Sequence, residues 1–220
     1  MIIRTKSGNY QTGNASVLLD YLGVKKEAAG VQKVSGDVEL IASVPFHLTA
    51  GTENEKGYPW TFSTFDLDRY GERVDPHGWD FAQYAKNPVI QWAHCFHIPA
   101  IGKAEGLCAD ADGLHGLVIF NDKSFDPFGW GIGERVKAGV IRAGSVGFRV
   151  MEIEIPDKET AKDGTSLIFR KQELLEFSIC NVPANPFALA KSKGNGELGV
   201  GSGENGGNAN LFWDCLINNL

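Results

Sequence analysis

The sequence lacks any clustered cysteine motif. Its four cysteines, Cys95, Cys108, Cys180 and Cys215, lie far apart with no Cys-x-x-Cys pair. That spacing signals neither a disulfide scaffold nor a zinc ribbon and fits a reducing compartment. No apolar run approaches the length of about 18 residues needed to cross a bilayer. Met1-Ile2-Ile3-Arg4-Thr5-Lys6 carries charge but no apolar core, so neither a membrane span nor a secretion signal is expected. Lys/Arg runs and aromatic-basic alternation are also missing, and the net charge is −6. A broad basic surface for nucleic acid is therefore excluded.

What remains is 220 residues with 43% hydrophobic content, enough for one sizeable core. Residues 1–58 read as an N-terminal extension with the first strand or strands, 59–190 as the core, and 191–220 as a flexible tail. The tail is rich in glycine and asparagine and buries too little apolar area to offset ordering, although Leu211 to Ile217 close it with an apolar cluster.

Within the core the pattern is mostly strand. Val38 to Phe46 and Trp60 to Phe65 are predicted strands, the second largely alternating aromatics with hydroxyls. Val89 to His94, Gly102 to Gly106 and Leu114 to Phe120 follow, the last two around an Asp112-Gly113 turn. Ile141 to Ile155 and Ser166 to Val182 are long strands separated by a polar connection. Helices are predicted at Ser16 to Leu22, at Asp80 to Ala85 and at Asp126 to Ala138. The last carries a Phe128, Ile132, Val136 stripe, weakened by interior glycines and closed by Gly139.

Three segments carry polar residues amid apolar ones: Gln91-Trp92-Ala93-His94, Gly144-Ser145-Val146-Gly147-Phe148 and Leu174-Leu175-Glu176-Phe177-Ser178. Each alone is what the wet face of a half-buried strand would show. Together they supply a base, a nucleophile and a carboxylate, the equipment for covalent acyl transfer if the fold gathers them. No Gly-x-Ser-x-Gly elbow surrounds Ser145, so an α/β-hydrolase is not indicated. Metal sites are weak. His94-Cys95-Phe96-His97 lacks a fourth ligand, and Asp66 to Glu72 lacks the spacing of a calcium loop. Cys95 is set aside as a nucleophile because neighbours on a strand point to opposite faces. Glu173 and Glu176 differ by three residues; if Leu175 and Phe177 are core, Glu176 faces the site and Glu173 does not, unless a bulge intervenes.

Residues 61–190 resemble the prohead maturation proteases of tailed bacteriophages. The resemblance rests on Thr64-Phe65-Asp66-Leu67-Asp68-Arg69-Tyr70-Gly71, Asn87-Pro88-Val89-Ile90-Gln91-Trp92-Ala93-His94, Pro99-Ala100-Ile101-Gly102, Val136 to Phe148 and Leu174 to Pro186, in that order and spacing. It implies a mainly β fold with helices, an assemblin-like closed or partly closed β-barrel related to the herpesvirus assembly proteases. It further implies Ser145 as nucleophile, His94 as general base and acid, and Glu176 as the residue orienting His94, with Arg142 or Arg149 supporting the oxyanion.

The implied activity is serine endopeptidase cleavage of the capsid precursor or scaffolding protein, and of the protease itself, inside the assembling prohead in the bacterial host cytoplasm. No cofactor is expected. The implied partners are the major capsid protein precursor or its scaffolding domain, the portal, and further copies of the chain as a dimer or higher homo-oligomer. Tyr70-Gly71-Glu72 and Val74 to Trp79 depart from the family pattern, which bears on loop shape. The alternative is a catalytically inactive capsid-associated module that binds scaffold, in which Ser145 is dispensable.

Overall fold

The computed structural model describes residues 2–4, 10–25, 29–34, 39–42 and 57–182. Twelve strands among them form one mixed sheet. They are β1 (Ile2–Arg4), β2 (Tyr10–Thr12), β3 (Gly30–Lys33), β4 (Glu39–Ala42), β5 (Tyr58–Ser63), β6 (Glu72–Val74), β7 (Trp79–Asp80), β8 (Val89–Trp92), β9 (Gly102–Ala109), β10 (Leu114–Phe120), β11 (Ala143–Ile155) and β12 (Leu167–Cys180). Two helices, α1 (Ala15–Leu22) and α2 (Pro127–Lys137), flank the sheet. The strand order is β2-β1-β4-β11-β12-β8-β9-β10-β5, with β3 added to β11 and β6 and β7 added to β12. The sheet curls through 207° into a half-barrel, the partly closed form of the expected barrel.

The antiparallel pair of β11 and β12 is the spine of the sheet. Val146, Phe148, Phe177 and Ile179 are fully buried on one face of it, together with Trp60 and Phe62 from β5. The Phe62 and Phe177 rings stack at 4.0 Å between centroids, and Trp60 meets Phe177 edge-on at 5.8 Å. Such contacts add to the transfer of large apolar area from water. Pro59, which has no N–H to donate, sits in β5 at the end of the strand order, where a missing donor is tolerated.

α1 starts at Asn14, whose side chain accepts from the Val17 N–H at 3.2 Å, and buries Ala15, Leu18 and Leu19. α2 starts at Asp126, whose carboxylate accepts from the Gly129 N–H at 2.9 Å, with Pro127 in its first turn. Its packed face differs from the predicted stripe. Phe128 is 47% exposed, and the buried positions are Gly129, Ile132, Gly133 and Val136. The interior glycines therefore permit contact: a Cβ on Gly133 would lie 2.8 Å from the Phe120 ring.

Two predicted elements are corrected. Asp80 to Ala85 is not a helix. Trp79 and Asp80 are extended against Gln172 and Glu173 of β12, the Asp80 carboxylate accepts from the Ala82 N–H at 3.0 Å, and only Tyr84–Lys86 form a 3-10 turn. β8 ends at Trp92 rather than His94, because Ala93 and His94 take positive φ of 50° and 57°. Of the predicted strand Val38 to Phe46, Glu39–Ala42 are strand and the other positions lie outside the described residues, as do the boundary at 190 and the tail at 191–220.

Candidate active site

The register of β11 and β12 sets two members of the site side by side. Ser145 lies opposite Ser178, and Gly147 opposite Glu176. These four share the face of the hairpin opposite to Val146 and Phe177. β12 also pairs in parallel with β8, with Ser178 beside Gln91 and Ile179 beside Trp92. The end of β8 thus arrives at the site, and the turn at Ala93 and His94 swings the imidazole over the hairpin.

His94 Nε2 lies 2.7 Å from Ser145 Oγ, and His94 Nδ1 lies 2.5 Å from Glu176 Oε1. Ser145 is wholly buried, Glu176 is 3% exposed, and the His94 side chain is 15% exposed. An ionised carboxylate only accepts, so Nδ1 carries the proton and Nε2 is left with its lone pair toward the serine hydroxyl. A neutral imidazole in this tautomer can take the Ser145 proton. The Glu176 carboxylate also acts on its surroundings. Burial and then its charge push the Cys180 thiol up to about 12, so this free cysteine stays a neutral thiol and is no rival nucleophile. The same two causes raise the Tyr84 phenol, which donates to the Val89 carbonyl at 2.8 Å.

Glu176 reaches the site by a route the sequence pattern did not anticipate. The register shifts so that Gly147 faces Glu176 while Phe148 faces Leu174, which leaves Leu175 as the extra residue of a β-bulge. Leu174 is therefore core, 1% exposed, and Leu175 is only half-buried. Glu173 then returns to the face of Glu176, where it pairs with Arg149 at 2.6 Å. The expectation that Glu173 points the other way is thereby corrected. It lies earlier on β12 than Glu176, opposite Arg149 rather than Gly147, and so does not meet His94 although it shares the face.

The remaining sequence candidates are also placed. Arg142 Nε donates to the Gly139 carbonyl at 2.9 Å in the turn before β11, and Arg149 is held by Glu173. His97 is exposed in the turn after His94. Cys95 is half-buried with a free thiol and follows His94 in a turn, so the opposite-faces argument does not apply to it. His115 is buried between Thr61 Oγ1 at 3.1 Å and Asp110 Oδ1 at 3.0 Å, and burial lowers its pKa. Among the described residues no three His, Cys, Asp or Glu side chains converge to hold a metal.

Two residues of the segments singled out in the sequence take part in the site without being among its predicted members. Gly147 leaves the space that the Glu176 carboxylate fills: a Cβ there would lie 2.5 Å from Oε1. Ser178 donates to Glu176 Oε2 at 2.7 Å and accepts from the His94 backbone N–H at 3.0 Å. Its position two residues beyond Glu176 on a strand was the available signal.

A curled half-barrel bearing a connected Ser-His-Glu relay defines a serine hydrolase of the peptidase type. A family model describing the caudovirus prohead serine proteases matches residues 44–197, well over half of the chain. The chain belongs to that family. Among curated proteins and among solved structures, none matches it.

Proposed function

We propose that this protease cleaves the capsid precursor or its scaffolding portion, and itself, inside the assembling prohead. The observation that carries the reading is the unbroken chain from Ser145 Oγ through the His94 ring to Glu176 Oε1 in a member of the prohead protease family. Ser145 Oγ attacks the scissile carbonyl carbon as its proton passes to His94 Nε2. Glu176 stays ionised and stabilises the imidazolium. The C–N bond then breaks, His94 gives the proton to the leaving amine, and an acyl ester on Ser145 remains. Water, deprotonated by His94, hydrolyses that ester and restores the serine. Arg142, just ahead of Ser145, and Arg149, on its face, are the proposed support for the oxyanion. The capsid precursor, the portal and further copies of the chain are the proposed partners, within the host cytoplasm.

Coexpression with the capsid precursor tests this. Wild-type protein should process the precursor and take up a fluorophosphonate on Ser145. Ser145→Ala and His94→Ala should stay folded and leave the precursor intact, whereas His97→Ala should retain turnover. Undiminished processing by Ser145→Ala would refute the serine mechanism. A folded wild-type protein that neither labels nor cleaves would point instead to an inactive scaffold-binding module.

A further inference from the structure

Ser178 is wholly buried, faces Ser145 across the hairpin, and takes part in none of the proton transfers. Its one hydroxyl nevertheless makes two bonds to two different members of the relay. The hydrogen goes to Glu176 Oε2 at 2.7 Å, and the oxygen accepts from the His94 backbone N–H at 3.0 Å. The carboxylate that orients the base is therefore tied to the main chain that carries the base.

That tie falls where the backbone is least favoured. Ala93 and His94 are the only non-glycine residues with positive φ among the described residues. Each left-handed L-residue costs about 1 to 2 kcal/mol, so the turn persists only where surrounding bonds hold it. The Ala93 N–H is held by the Ile179 carbonyl at 2.8 Å, and the Cys95 N–H by the Trp92 carbonyl at 2.9 Å. Between them, the His94 N–H is held by a side chain, that of Ser178. The same side chain occupies Oε2, so the carboxylate cannot rotate its second oxygen away without breaking that bond, and Oε1 stays directed at Nδ1.

We propose that Ser178 is a positioning residue for the relay: it fixes the strained turn at His94 and the rotation of the Glu176 carboxylate together, so that both ends of the imidazole meet their partners. This rests on the protease reading given above. Removing the hydroxyl leaves the part-buried His94 N–H and a carboxylate oxygen each short of a partner, and a misplacement of the base of the order of 1 Å costs about 10- to 100-fold in rate.

The test compares full-length wild type, Ser178→Ala and Ser145→Ala in two readouts. The first is the second-order rate of fluorophosphonate labelling, read by intact mass. The second is the downfield proton resonance of the hydrogen between His94 and Glu176, which does not depend on turnover. Ser178→Ala should label about 10- to 100-fold more slowly. Its downfield resonance should shift or broaden, while Ser145→Ala, which leaves that hydrogen in place, should keep the resonance. If Ser178→Ala does not fold, Ser178→Cys, closer in volume and only a weak donor, is examined in the same way and should move both readouts in the same direction. A folded variant with an unchanged resonance would overturn the proposal, whether or not its rate fell. Wild-type protein that shows the resonance but never labels would instead refute the protease reading and leave the positioning geometry standing.

Discussion

Replacing Gly147 by alanine should disconnect Glu176 from His94 while leaving all three relay residues in the chain. Gly147 has no positive φ, so an alanine there meets no backbone strain and the effect is steric. The added Cβ would lie 2.5 Å from Glu176 Oε1, 2.9 Å from its Cγ and 3.1 Å from its Cδ. Because three atoms of the side chain are crowded at once, rotating the carboxylate alone does not relieve the contact. The side chain must retreat by about half an ångström or more, which stretches the 2.5 Å bond to Nδ1 past the usual range of about 2.7 to 2.9 Å for charged hydrogen bonds.

Hydrogen bonds to charged groups contribute about 1.5 to 3 kcal/mol, which at about 1.4 kcal/mol per decade is roughly a 10- to 100-fold loss of rate. This stays below the roughly four orders of magnitude associated with removing the orienting charge itself. Overpacking should cost about 1 to 3 kcal/mol of stability. Fluorophosphonate labelling of Ser145, timed by intact mass alongside a thermal melt, measures both. A folded Gly147→Ala protein that labels within twofold of wild type would refute the argument that this glycine makes room for the carboxylate.

Three further outcomes are expected. Glu176→Gln should lower turnover by about three to four orders of magnitude, because an amide cannot stabilise the imidazolium. Glu173→Gln, whose ion pair with Arg149 is partly exposed, should change it less than about threefold; equal effects in a peptide-hydrolysis assay would remove Glu176 from the relay. Glu72 should make stability depend on pH. Both its carboxylate oxygens are buried without a hydrogen-bond partner, and burial, then the Asp68 charge, push its pKa from 4.5 to about 8. The native state therefore holds the proton more tightly than the unfolded chain. Stability should fall as pH climbs from about 4.5 to 8 and level off above, by up to the order of 5 kcal/mol. Glu72→Gln should flatten that slope in denaturant melts at pH 5 and pH 9, and an unchanged slope would rule Glu72 out as its source.

Much of the fold was legible because burial is written in alternation. The long strands β11 and β12, the β9–β10 hairpin and the end of α2 follow from periodicity, from the Asp112-Gly113 turn and from Gly139. The relay residues were legible through the family resemblance. What stayed hidden was set by tertiary contact. The extra residue at Leu175 carries no local mark, since Leu174 and Leu175 are equally apolar, yet it decides which glutamates share the site. The turn at Ala93 and His94 has no glycine or asparagine to announce its positive φ. Asp80 to Ala85 has helical composition, but pairing with β12 claims its first residue. The glycines of α2 lower its helix propensity, and only the packing of Phe120 against Gly133 gives one of them a reason.

The parallel pairing of β8 with β12 also makes catalysis a gauge of the folding transition. Ser145 and Glu176 belong to one hairpin, but His94 contacts Ser145 across 51 residues of chain and Glu176 across 82. Parallel pairing has no tight turn to close it locally, so its entropy of closure is recovered only when the surrounding sheet is in place. A chain in which the hairpin has formed and β8 has not docked holds a nucleophile and a carboxylate with no base between them, and it cannot cut. Recovery of Ser145 reactivity during refolding should therefore coincide with the slow burial of Ile90 and with hydrogen-exchange protection of the Ala93 amide, not with the earlier appearance of strand structure.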